Sequence, residues 1–187
     1  MIRIIRPTKG AKHPEGMPQP TDEHAARDHA HWDAVEEATE MLHAEAFAEA
    51  LVELRAVIQR DPTNPYAYYY LGVALFEMGE VEAARDAYRA CLRVAPQHLG
   101  ARVALAHVLR ALGDADAALK EGMVALERAP GDGEALHAVG LAHLARGDRP
   151  AARRYLTAFL EAKPEFEAQV EVKAILDSLG DGPRKTP

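Results

Sequence analysis

The chain has 187 residues, of which 48% are hydrophobic and 27% charged, with a formal net charge of −7. That balance marks a globular chain rather than a disordered one, and the surplus of acid argues against general nucleic-acid binding, which leans on Lys and Arg. The lone cysteine, Cys91, excludes an internal disulfide framework and a cysteine-built zinc site, and no run approaches the ~20 apolar residues of a membrane span.

Residues 1–20 read as a basic, proline-rich tail. They hold Arg3, Arg6, Lys9 and Lys12 against Glu15, with Pro7, Pro14, Pro18 and Pro20 spaced as in an extended linker. The opening stretch of Ile2, Ile4 and Ile5 is short and interrupted by Arg3, unlike a secretory signal, so the expected compartment is the cytoplasm. Residues 1–6 are expected to dock, either on an acidic stretch of the same chain or on a partner or second copy, the latter giving a homo-oligomer. Thr21 then opens a helix with Asp22 and Glu23 in its first turn. Residues 21–30 form a helical extension that either runs on to about 43 or breaks near Ala30.

From there a period of 34 governs the chain. Prolines stand at Pro62, Pro96, Pro130 and Pro164, alanines at Ala50, Ala84, Ala118 and Ala152, and large apolar residues at Ile58, Leu92, Leu126 and Leu160. Gly79, Gly113 and Gly147 keep the same clock, with Glu45 in the first unit. Apolar residues at i, i+3, i+4 and i+7 predict helices over 65–78, 99–112 and 133–146, each closed by its glycine. Glu80, Asp114 and Asp148 are placed to begin second helices over 81–94, 115–128 and 149–162, each stopped by the following proline. Small residues at Gly72, Ala106 and Gly140 let the paired helices approach. Residues 31–64 hold eight acids against Arg55 and Arg60, the acidic stretch of the chain.

A 34-residue helix–turn–helix with this spacing resembles the tetratricopeptide repeat family. Residues 65–98 match its pattern almost throughout, from Pro65 and Tyr68-Tyr69-Tyr70-Leu71-Gly72 to Ala84, Tyr88 and Pro96. Residues 99–132 and 133–166 match with departures at Arg102, Gly122 and His143. Residues 31–64 match in their second helix, while Glu37 sits at a normally apolar position of the first. The resemblance implies an all-α fold, a right-handed α-solenoid of four antiparallel helix pairs over 31–166. Residues 167–180 read as a capping helix, with Phe166, Val170, Ala174 and Leu176 or Ile175 on its inward side, and 181–187 as a tail.

The resemblance also implies a concave binding face built from the first helices. Its members here are Trp32, Val35, Thr39 and Leu42; Tyr66, Tyr69, Val73 and Phe76; Val103, His107 and Arg110; and His137, Leu141 and Leu144. Tyr68 and Leu75 fall on the inter-helix side, and Tyr69 and Phe76 would make the same helix apolar on two faces, which calls for burial or a partner. Family members that grip the acidic C-termini of heat-shock chaperones place Lys, Arg and Asn in this groove. Tyr69, Val73 and Val103 stand at the matching positions, so that clamp is missing, and a peptide or helix with hydrophobic anchors is the expected ligand. The groove is also similar in shape to that of the type III secretion chaperones for translocators.

The search for chemistry gives little. There is no phosphate-binding glycine loop, no nucleophile elbow and no Cys–His pair at motif spacing. His24, Asp28 and His31 at i, i+4 and i+7 would share one side of an unbroken helix, a spacing open to zinc, but a further ligand such as His43 would not converge. Cys91 reads as a core packer. The expectation is a non-catalytic, cofactor-free protein-interaction module (adaptor, scaffold or chaperone), with self-assembly through residues 1–6 as the alternative.

Overall fold

A computed structural model of the chain describes residues 22–180; the expectations for 1–20 and 181–187, including docking of 1–6, lie outside these residues. Ten helices make up the regular structure among them: α1 (Asp22–Asp33), α2 (Glu36–His43), α3 (Phe47–Arg60), α4 (Pro65–Glu77), α5 (Val81–Val94), α6 (Leu99–Ala111), α7 (Ala115–Arg128), α8 (Gly133–Ala145), α9 (Arg149–Glu161) and α10 (Phe166–Ser178). The chain divides into two compact units, Met1–Gly100 and Ala101–Pro187.

The helix ends follow from the repeated residues. Gly79, Gly113 and Gly147 adopt φ of 81°, 85° and 77°. The amide after each glycine donates to a carbonyl five residues back, as Glu80 does to Leu75, Asp114 to Leu109 and Asp148 to His143. Glu45 holds the same place without being glycine, at φ 58°, and Ala46 donates to Met41 in the same way. At the helix starts, Asn64, Asp114, Asp132 and Asp148 each accept the amide three residues on. Glu80 stands at the N-cap of α5 but makes no such side-chain bond.

In the first unit α2 packs on α3, α3 on α4 and α4 on α5, with α1 lying across α4. The chain breaks at Ala34 and Val35 between α1 and α2, later than Ala30, and the first repeat's opening helix shrinks to the eight residues of α2. Gly72 lets α4 and α5 close up: a Cβ there would sit 2.5 Å from the Tyr88 ring. In the second unit α7 packs on α8, α8 on α9 and α9 on α10. Gly140 repeats the close approach, against Leu156 at 2.7 Å, and the space beside Gly122 is taken by Val139. The family's apolar residue at Arg102 is replaced by a half-buried ion pair, Arg102 Nη1 to Glu121 Oε2 at 2.6 Å. His143 lies flat on Tyr155, with ring centroids 5.4 Å apart. Cys91 is fully buried and burial pushes its thiol up to about 12, so it is a core packer.

The helix α10 packs on this unit through a face that keeps Ile175 and Leu176 of the expected row but not Phe166, Val170 and Ala174. Val172 is fully buried with Leu141, Leu156 and Phe159, and Ala168, Ile175 and Leu176 pack beside it. Phe166 and Val170 are 78% and 50% exposed. The inward stripe runs 168, 172, 175, 176, which is i, i+4, i+7, i+8, and the row 166, 170, 174 lies off it.

Candidate functional site

The predicted binding face splits into buried and partly exposed members. Val35, Thr39 and Leu42 are buried, as are Tyr69, Val73, Val103 and Leu141. Trp32, Tyr66 and Phe76 are partly exposed in the first unit, and His107, Arg110, His137 and Leu144 in the second. The expected roles of Tyr69 and Tyr68 are therefore reversed. Tyr69 is only 3% exposed, and Tyr68 is partly exposed. A helix apolar on two sides can be satisfied by burial, and α4 is, because α1 covers one side while α3 and α5 pack on others.

The residues that hold α1 in place build an aromatic cluster. Asn64 is fully buried; its Oδ1 accepts the Ala67 amide and its Nδ2 donates to the His31 carbonyl at 2.8 Å. Tyr66 Oη donates to Asp28 Oδ1 at 2.8 Å, and His31 Nε2 lies 3.0 Å from Asp61 Oδ2. Burial and this bond to Asp28 raise the Tyr66 phenol well above its ordinary pKa. Trp32 meets Tyr66 edge to face at 5.7 Å and Tyr70 at 6.0 Å. The ring of His98 packs against Tyr66 at 5.9 Å and Tyr69 at 5.0 Å, and burial lowers its pKa. Asp28 and His31 are thus engaged with α4 and Asp61, and they do not form a metal-ligating trio with His24.

In the second unit a different set of ligand-type side chains converges. His107 on α6 and Glu134 and His137 on α8 bring their donor atoms within 4.8 Å of one another, the one such group of three among the described residues. The two imidazole centroids are 5.5 Å apart, and His137 stacks on Phe159 at 4.7 Å. Burial, then the neighbouring His137 and Arg110, lowers the His107 pKa to about 3. Burial also lowers that of His137, with Glu171 opposing.

The sequence reading placed His107 and His137 on one face but passed over Glu134 and Asn64. Both carried a signal: Glu134 and His137 share one side of a helix at i, i+3, and Asn-Pro is a cap followed by a helix-starting proline.

Two tetratricopeptide repeat models match the chain, over residues 41–90 and 75–133, and the antiparallel helix pairs are those of solved tetratricopeptide structures. The chain belongs to the tetratricopeptide repeat family. Among solved structures, PilF of Pseudomonas aeruginosa superposes with a TM-score of 0.71 at 19% identity, over 82% of this chain and 70% of PilF. MamA from Desulfovibrio magneticus RS-1 gives 0.64 at 19% identity, over 83% and 98%. The first tetratricopeptide domain of Spaghetti (RPAP3), solved with the HSP90 peptide SRMEEVD, gives 0.56 at 21% identity, over 63% and 94%. These likenesses are to a tetratricopeptide fold. A curated relative, the probable biofilm formation methyltransferase WspC of Pseudomonas putida, is 34% identical over 96 residues, 48% of this chain. The chain spans 22% of that relative's length. No described helix is long and apolar enough to cross a membrane.

Proposed function

We propose that this tetratricopeptide chain is a non-catalytic protein-interaction module that holds a peptide or helix by hydrophobic anchors, acting as an adaptor or chaperone in the cytoplasm. The observation that carries the reading is the trio Trp32, Tyr66 and Phe76: large rings left partly exposed in a unit whose other aromatic groove residue, Tyr69, is buried. Trp and Tyr are enriched among binding hot spots because they bury much area at little entropic cost. Spaghetti (RPAP3) supports peptide binding as a use of the fold. The bound SRMEEVD peptide ends in acid, however, and the buried Tyr69, Val73 and Val103 offer no cation at the positions where family members that grip such ends carry Lys, Arg or Asn.

Selection from a displayed random-peptide library on the purified chain tests this. The expected winners carry two or three large apolar residues at helical or alternating spacing, and SRMEEVD itself does not bind. Enrichment of acidic C-termini, or binding of SRMEEVD as tight as that of the selected peptides, would overturn the reading.

A further inference from the structure

Three side chains of the second unit with the chemistry of metal ligands converge on one another. His107 comes from α6, while Glu134 and His137 lie one turn apart on α8, all partly buried. His137 Nε2 is shielded from solvent and has no hydrogen-bond partner, a state that costs a buried polar atom its solvation without return. Two imidazoles set 5.5 Å apart gain little from each other as stacking partners, and bringing both to one carboxylate is a costly way to fill space.

We propose that His107, Glu134 and His137 bind one divalent transition-metal ion of the zinc type, with two imidazole nitrogens and one carboxylate oxygen as ligands. Zinc takes this donor set at bonds of about 2.0–2.2 Å, which places tetrahedral ligand atoms about 3.3 Å apart. The donor atoms already lie within 4.8 Å of one another, so side-chain adjustments of about 1.5 Å bring them to that spacing. Binding of the hard alkaline-earth ions is not expected, since magnesium and calcium prefer oxygen donors throughout. Stacking on Phe159 fixes the His137 ring plane. The site is independent of the peptide reading, which rests on Trp32, Tyr66 and Phe76.

The test is titration of the metal-free full chain with Zn²⁺ by calorimetry and with Co²⁺ by visible absorption, whose band intensity separates four-coordinate from octahedral sites. The expected result is one ion per chain, with the strong bands of a four-coordinate site. Glu134→Gln, nearly the same shape, weakens binding by more than about tenfold, the lower end of what even outer-shell partners cost, with the melting temperature of the metal-free chain recorded beside it. His107→Gln and His137→Gln abolish the bands. His29→Gln, at an exposed histidine paired with Asp33, leaves them unchanged. Absence of binding by the wild-type chain, or binding equal in wild type, Glu134→Gln and His137→Gln, would overturn the proposal.

Discussion

Tyr68 and Tyr69 are neighbours on α4 and face opposite energetic consequences. Tyr69 is buried against Tyr70, Tyr88 and His98, so Tyr69→Ala should cost about 3 kcal/mol or more of stability. Tyr68→Ala, at a partly exposed site, should cost well under half as much, and chemical denaturation of both variants checks the order. The aromatic run was legible as helix in the sequence, but periodicity could not say which side would be covered, because the cover is α1, an element outside the 34-residue pattern. His98 illustrates the same limit. It occupies the place held by Asn64 and Asp132 in the neighbouring repeats, and there packs between Tyr66 and Tyr69. Burial lowers its pKa below the ordinary 6.5. The unfolded chain therefore binds more protons than the folded one below about pH 6.5, and stability falls as pH drops from there toward the folded pKa. Thermal unfolding between about pH 7 and pH 5 should show this decline, shallower in His98→Gln; equal slopes in the two proteins would contradict it.

At the scale of elements, the repeated helices were readable almost to the residue, since proline stops, glycine closures and aspartate caps are local devices. The ends were less so. Helix α1 is held by contacts 30 and more residues away in sequence, of which the Asn64–His31 bond is the buried one. Asn64→Ala removes both the cap of α4 and the tether of α1, an expected loss of about 1–2 kcal/mol. Hydrogen exchange should then quicken first in α1, whereas uniform quickening would mean that α1 is not separately held. The helix α10 shows how a short amphipathic segment misleads: two apolar rows were present, and contact with Leu141, Leu156 and Phe159 selected the one through Val172. Val172→Asp should undock α10 and expose that cluster, while Val170→Asp should leave the melting temperature nearly unchanged, as scanning calorimetry would show.

For the molecule as a whole, membership in the tetratricopeptide family constrains what a surface can do without naming a partner, since function resides in sites grafted on the fold. Of the face expected to bind, the members at the missing clamp positions are core, and Trp32, Tyr66 and Phe76 are its partly exposed aromatic members. Which groove residues would be reachable was not legible in the sequence, because exposure depends on how neighbouring helices close over each row. The most direct measurement is calorimetric titration of a library-selected peptide into the wild-type chain and into Phe76→Ala, with the melting temperature of each recorded. The account predicts an affinity loss of about 2 kcal/mol with little change in melting temperature. Unchanged affinity for Phe76→Ala, and likewise for Tyr66→Ala, would contradict it.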